Sequence, residues 1–243
     1  MNVAARALAC LDLTELGDAC SPQAAAAVVA RARTPRGPVA AVCLWPAFVS
    51  KARAALRGDV RIATVINFPA GGEHIERAVG DAAEAVRDGA DEIDLVIPWK
   101  ALLRGDERVV RDMIGAVRDH VTGGQRLKCI LETGELRDPA LIRRASEIAI
   151  EAEAHFIKTS TGKTPVSATP EAARIMLETI RASGKPVGFK ASGGIRTLAD
   201  AALYLGLADE IMGPDWARPE TFRFGASGLL GALLAALDPD SDG

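Results

Sequence analysis

A chain of 243 residues can bury a large core, and its length is close to the roughly 250 residues usual for one (β/α)8 barrel. Its residues are 49% hydrophobic and 25% charged, the balance of an ordinary soluble globular protein, and a formal net charge of -3 supplies no basic field for nucleic acid, so no nucleic-acid partner is expected. The opening MNVAARALAC lacks a basic segment followed by a long apolar one, and no apolar run approaches the ~18 residues of a membrane span, which predicts neither export nor membrane insertion.

Cys10, Cys20, Cys43 and Cys129 lie far apart with no CxxC spacing, and two of them, Cys43 and Cys129, fall in apolar strand-like runs. They read as reduced thiols in a cytoplasmic setting, with Cys43 and Cys129 acting as small core hydrophobes. His74, His120 and His155 are isolated, so no first-row metal site is expected.

In chain order, a short helix over residues 2–9 precedes a brief strand at 11–14. Ser21-Pro22 supplies an N-cap and a first-turn proline for an alanine-rich helix to about Arg33. Strand VAAVCLW (39–45) leads through Pro46 to a helix ending near Gly58, and RIATVINF (61–68) is strand-like by its β-branched content. The segment EHIERAVGDAAEAVRDG then repeats apolar residues at helical spacing and ends in glycine. DEIDLVIP (91–98) precedes a helix over 106–121, LKCILE (127–132) a helix over 139–152, and FIKTS a helix opening at Thr169-Pro170. PVGFK (186–190) is followed by a helix opening at Thr197, and DEIMG (209–213) reads as the eighth strand. Eight apolar strands alternating with amphipathic helices predict a parallel sheet covered by helices. A doubly wound sheet does not require eight regular units, and no G-x-G-x-x-G follows the first strand, so the expected fold is a (β/α)8 TIM barrel in which residues 1–243 form a single domain with an extra N-terminal helix and a flexible tail over 238–243.

Such barrels build their sites from the C-terminal strand ends. Those ends read Asp12, Cys43, Asn67, Asp94, Glu132, Lys158, Lys190 and Gly213, six of them strongly polar. Lys158, in FIKTSTGK, is central: an ammonium on a buried strand must pair, stay at the wet mouth or lose its proton, and the third course yields a nucleophilic amine. Lys190 falls on the next parallel strand, where its charge would disfavour protonation of Lys158. Asp94 can hold Lys190 charged and pass a proton, and Asp12 can join that relay around the closed barrel. Three glycine-rich segments, 160–163, 192–197 and 225–228, follow the late strands. The last two run into helices, and their N–H groups, with Lys163 and Arg196, suit a phosphate.

Together these residues resemble the deoxyribose-phosphate aldolase family of class I, Schiff-base aldolases. The likeness runs from about Cys10 to Leu237 through DLTEL, RIATVINFP, GADEIDLVIPWKAL, ETGEL, FIKTSTGK, VGFKASGGIRT and FRFGASGLL, in the family's order. It implies reversible cleavage of 2-deoxy-D-ribose 5-phosphate to acetaldehyde and D-glyceraldehyde 3-phosphate, without metal or organic cofactor. Carried over by motif, Lys158 resembles the imine-forming lysine, Lys190 the lysine that tunes it, Asp94 the proton-transfer carboxylate and Asp12 the supporting aspartate. Gly162, Lys163, Gly193, Gly194, Arg196, Gly225 and Ser227 match phosphate-loop positions.

Two departures stand out. Gly228 replaces a second serine in the last phosphate loop, and no tyrosine ends the chain, whose one tyrosine is Tyr204. Two other readings compete: a phosphosugar isomerase on the same barrel using a carboxylate base such as Glu132, and a catalytically silent phosphate-binding protein with an ordinary Lys158. The expected partners are a phosphosugar substrate and, at the level of fold, a second copy in a homodimer.

Overall fold

The computed structural model describes residues 2–56 and 58–238. Most of the tail expected to be flexible therefore lies outside the described residues. Eight parallel strands close into a barrel: β1 (Leu11–Glu15), β2 (Ala41–Leu44), β3 (Arg61–Ile66), β4 (Glu92–Val96), β5 (Arg126–Ile130), β6 (Phe156–Lys158), β7 (Gly188–Ser192) and β8 (Phe222–Ala226). Each strand pairs with its successor, and β8 returns to pair with β1 through Asp12↔Gly225.

Between the strands run α1 (Val3–Ala9), α2 (Pro22–Arg31), α3 (Val49–Ala55), α4 (Ile75–Arg87), α5 (Trp99–Leu103), α6 (Glu107–Arg118), α7 (Thr133–Leu136), α8 (Pro139–Glu151), α9 (Pro170–Ser183), α10 (Leu198–Met212) and α11 (Leu229–Ala236). The caps anticipated from sequence are formed. Ser21 Oγ accepts from Ala24 N, Thr169 Oγ1 from Ala172 N, and Thr197 makes a reciprocal capping box with Asp200. On α6 the buried residues Val110, Met113, Ile114 and Val117 recur at three- and four-residue spacing, and that stripe faces the sheet.

The eighth strand is not DEIMG. Those residues are the last turns of α10, where Ala208 and Ile211 continue its buried face and the carboxylates between them turn outward, Asp209 to Arg6 and Glu210 to Arg174. Nothing interrupts helical periodicity until Gly213, which takes a left-handed φ of 100° and is followed by Pro214. The true strand, FRFGA, escapes an apolar-run criterion because it alternates. Phe222 and Phe224 pack outward in the main core, whereas Arg223 and Gly225 face the lumen.

That alternation revises a second expectation. Along β4, Ile93 and Leu95 join the core between sheet and helices, while Glu92 and Asp94 bond groups inside the barrel. Lys128, Lys158, Lys190 and Arg223 are likewise buried inside. Most of the strands are apolar on their helix-facing side and carry their charges inward. At β2 and β3 the lumen is lined instead by Ala41, Cys43, Ala63 and Val65, with Leu16, Trp45 and Phe68 closing that apolar wall at the mouth.

Candidate active site

Asp94 organises the interior. It is the third residue of β4, one layer below the strand end, and it is fully buried. Its Oδ2 accepts from Lys158 Nζ at 2.9 Å and from Lys190 Nζ at 2.8 Å, and its Oδ1 accepts from Lys128 Nζ at 2.7 Å. The two strand-end lysines meet because β6 and β7 pair in the register Lys158↔Lys190, which puts both side chains on the lumen face. Lys190 Nζ also donates to Asp12 Oδ2 at 2.6 Å, and Asp12 Oδ1 accepts from Arg223 Nη1 at 2.5 Å. Arg223 then grips Glu92 with two N–H groups, at 3.0 and 2.7 Å, and Lys128 Nζ lies 2.7 Å from the same carboxylate.

The electrostatics follow from this wiring. Taking a charge out of water is costly unless opposite charges replace the lost hydration. Burial alone would raise the carboxyls, yet the surrounding cations hold Asp12, Glu92 and Asp94 below the usual carboxylate range. Burial likewise works against the ammonium groups, but carboxylates on two or more sides hold Lys128, Lys190 and Arg223 more firmly charged than usual. Lys158 differs. Burial pushes its amine down, Asp94 offsets this only in part, and Lys190 adds to the depression. The ion pairs show the same asymmetry: Lys190, Lys128 and Arg223 each meet two or more carboxylates, whereas Lys158 meets only Asp94, which it shares with both other lysines.

Above this network a cleft of about 400 Å³ opens at the C-terminal mouth, lined by Gly162, Lys163, Gly193, Gly194, Arg196, Gly225 and Ser227 together with residues 14–17 of the first strand and loop. All seven positions matched to phosphate loops are thus gathered in one place. Gly193 and Gly194 take φ of 85° and 84°, a conformation a side chain would strain. Not every helix-start N–H is free: those of Arg196 and Thr197 are taken by the Asp200 carboxylate, whereas the start of α11 has no side-chain cap. Lys163 Nζ pairs with Asp18 at the cleft rim. Gly225 has a further part. A Cβ there would come within 3.0 Å of Lys190 Cε and 2.5 Å of Ser192 Oγ, so its bare backbone leaves room for the lysine.

Glu132 occupies the end of β5 in a left-handed conformation, φ 56° and ψ 57°. It accepts from Thr161 Oγ1 at 2.5 Å and Thr161 N at 3.2 Å, bracing the loop after Lys158. Its carboxylate is engaged by that loop, which removes the observation that an isomerase reading would need. Cys43 is buried on the apolar lumen wall, where burial pushes its thiol up. Sequence reasoning missed Glu92, Lys128 and Arg223, although Glu92 stands two residues before Asp94 and Arg223 two before Gly225, and period two was the available signal for those two.

Gly228, the departure in the last loop, has φ -101° and open space where a Cβ would stand. A Gly228→Ser change is therefore accommodated, and it adds a hydroxyl at the helix start in the cleft. We expect it to lower KM for a phosphorylated substrate about threefold to tenfold, the ~1 kcal/mol of one added hydrogen bond, with kcat unchanged, as steady-state kinetics would read. An unaltered KM would place the phosphate away from α11.

The fold and this site define a barrel aldolase. A DeoC/LacD family aldolase model matches residues 7–218, and the chain belongs to that family. It is 57% identical over 238 residues to a deoxyribose-phosphate aldolase of Agrobacterium fabrum, covering 97% of this chain and 92% of that one. Among solved structures, a candidate deoxyribose-phosphate aldolase from Coccidioides immitis superposes with a TM-score of 0.86 at 28% identity, covering 98% of this chain and 88% of the other. Another, from Toxoplasma gondii ME49, gives 0.86 at 27% identity and covers 96% and 93%.

Proposed function

We propose that this aldolase cleaves 2-deoxy-D-ribose 5-phosphate reversibly to acetaldehyde and D-glyceraldehyde 3-phosphate through an imine on Lys158. The observation that carries the reading is the place of Lys158 in the buried network: it shares Asp94 with Lys128 and Lys190, and it is the one lysine there whose amine is pushed down rather than held charged. The free amine attacks the aldehyde carbon of the open-chain sugar, and loss of water with uptake of one proton from solvent leaves a protonated imine. Removal of the proton from the C3 hydroxyl lets the C2–C3 bond break. Its electron pair moves into the imine, forming an enamine on Lys158 and releasing the phosphorylated aldehyde. Protonation of the enamine carbon and hydrolysis return acetaldehyde and the free amine.

Asp94, within 2.9 Å of Lys158 Nζ and 2.8 Å of Lys190 Nζ, is placed to pass these protons with Lys190 and a water. Asp12 keeps Lys190 charged. The substrate phosphate takes the cleft of Gly162, Lys163, Gly193, Gly194, Arg196, Gly225 and Ser227. The apolar wall of Cys43, Ala63 and Val65 faces the two-carbon end, which has no polar group beyond the reacting carbonyl. A cytoplasmic setting agrees with four free cysteines, and among the described residues no helix is long and apolar enough to cross a membrane. A homodimer remains a proposal from fold alone.

Borohydride reduction with the sugar phosphate or acetaldehyde, followed by peptide mass mapping, should place a stable adduct on Lys158. An adduct elsewhere, or none in folded protein that binds the sugar phosphate, would sink the covalent reading. The trapping rate should rise with pH through the depressed Lys158 value, because the neutral amine is the nucleophile. Lys190→Met removes the neighbouring cation and leaves the carboxylates less compensated, so the profile should move to higher pH by about 1–3 units.

A further inference from the structure

At the opposite, N-terminal mouth of the barrel lies a second cavity, of about 550 Å³, that the chemistry above does not use. Its inner surface is cationic. Arg61 and Arg126 open β3 and β5, two residues before lumen-facing Ala63 and Lys128, so both belong to the lowest inward layer of alternate strands. Arg223 lines the cavity from within. Arg126 and Arg223 lie over the Phe156 ring, at 5.8 and 5.6 Å from its centre.

These arginines are unequally served. Arg223 is fully matched by Asp12 and Glu92. Arg126 has no carboxylate within ion-pair distance among the described residues, and its side chain makes one hydrogen bond, Nη1 to the Glu220 carbonyl at 3.2 Å. Arg61 reaches Glu92 only through Nε, at 3.7 Å. Two of the three acidic residues lining the cavity are committed elsewhere, Asp59 to Arg33 and Asp91 to Arg53, while the third, Glu220, acts on Arg126 only beyond ion-pair distance and is outweighed by burial and Arg61. Two guanidinium groups thus keep most of their forked donors unspent beside a recess. Half-burial with like-charged neighbours is a costly state for a cation unless an anion answers it.

We propose that this cavity is a second anion site, in which Arg61 and Arg126 together bind a small doubly charged oxyanion. Both tetrahedral phosphate-like ions and short dicarboxylates present oxygens at the spacing a guanidinium fork engages. The site shares Arg223 with the ion-pair network that ends at Lys158, so the two mouths of the barrel are joined by one buried chain of charges.

The test uses the whole chain and two probes. In crystals soaked with selenate, anomalous diffraction should give a peak between Arg61 and Arg126, besides any at the Gly193–Arg196 cleft. In solution, sulfate and malonate are compared by thermal unfolding of the wild type, Arg126→Gln and Arg61→Gln. Each variant's own melt without anion reports whether it folds, and either one suffices. Native-state binding should raise the wild-type Tm by about 2–4 °C, with at least half of the shift lost in the variants. A larger variant-sensitive shift with sulfate assigns a phosphate-like ligand, and with malonate a dicarboxylate. Selenate confined to the catalytic cleft, or equal Tm shifts in wild type and variants for both probes, would overturn the proposal.

Discussion

Lys158→Ala is expected to reduce cleavage of deoxyribose 5-phosphate on the order of 10⁴–10⁶-fold, the scale on which loss of a covalent nucleophile is felt. No neighbour can replace it. Lys190 stands beside it but is held charged by Asp12 and Asp94, and Lys128 lies deeper, held by Glu92 and Asp94. The fold should survive, because Asp94 keeps its bonds to Lys128 and Lys190 and what is lost is an amine that burial disfavours in its charged form. Turnover by coupled assay and urea unfolding of the same preparation check both halves. Activity within about tenfold of wild type, in a variant that no longer traps an adduct, would rule out Lys158 as the nucleophile.

Asp94→Asn is expected to separate two properties that Lys158→Ala removes together. The carboxylate bonds three lysine nitrogens at 2.7–2.9 Å, so deleting its charge leaves Lys128 and Lys190 under-compensated and should cost about 3–5 kcal/mol of stability in urea unfolding. Turnover should fall about 10²–10⁴-fold, the usual worth of a positioned acid–base group. Imine formation should not fall with it. Without the neighbouring negative charge the ammonium of Lys158 is less favoured, so at neutral pH a larger share is free amine, and borohydride trapping should be retained or faster. If trapping and turnover decline in parallel, Asp94 acts by positioning Lys158 and another group moves the protons.

Lys158 and Lys190 were readable in the chain because a lysine in an otherwise apolar strand has few physical outcomes, and two in successive strands constrain each other. That the three glycine-rich segments share one cleft was readable because each followed a late strand. Lys128 meets the same description within LKCILE and was passed over, with Glu92, because only strand ends were read. Arg223 was missed because DEIMG was taken as the eighth strand in place of FRFGA, and the carboxylates of DEIMG proved to be outward residues of α10. Strand ends also misled slightly. Asp12, Asp94 and Lys190 sit inside their strands, held there by mutual pairing and not by contact with water.

The sequence by itself determined the alternation of strands and helices, the barrel they close into, and the residue types that imine chemistry requires. Those are local properties: hydrophobic period, caps, glycine placement and the intolerance of apolar strands for charge. Only the tertiary structure decided which charges neutralise one another, because Asp12 and Arg223 stand 211 residues apart and meet only when β8 closes against β1. Which lysine holds its proton more firmly depends on that closure. Lys190 and Lys158 are chemically alike and adjacent, and the carboxylates assembled around Lys190 from β1 and β4 hold it charged while burial and Lys190 push the Lys158 amine down.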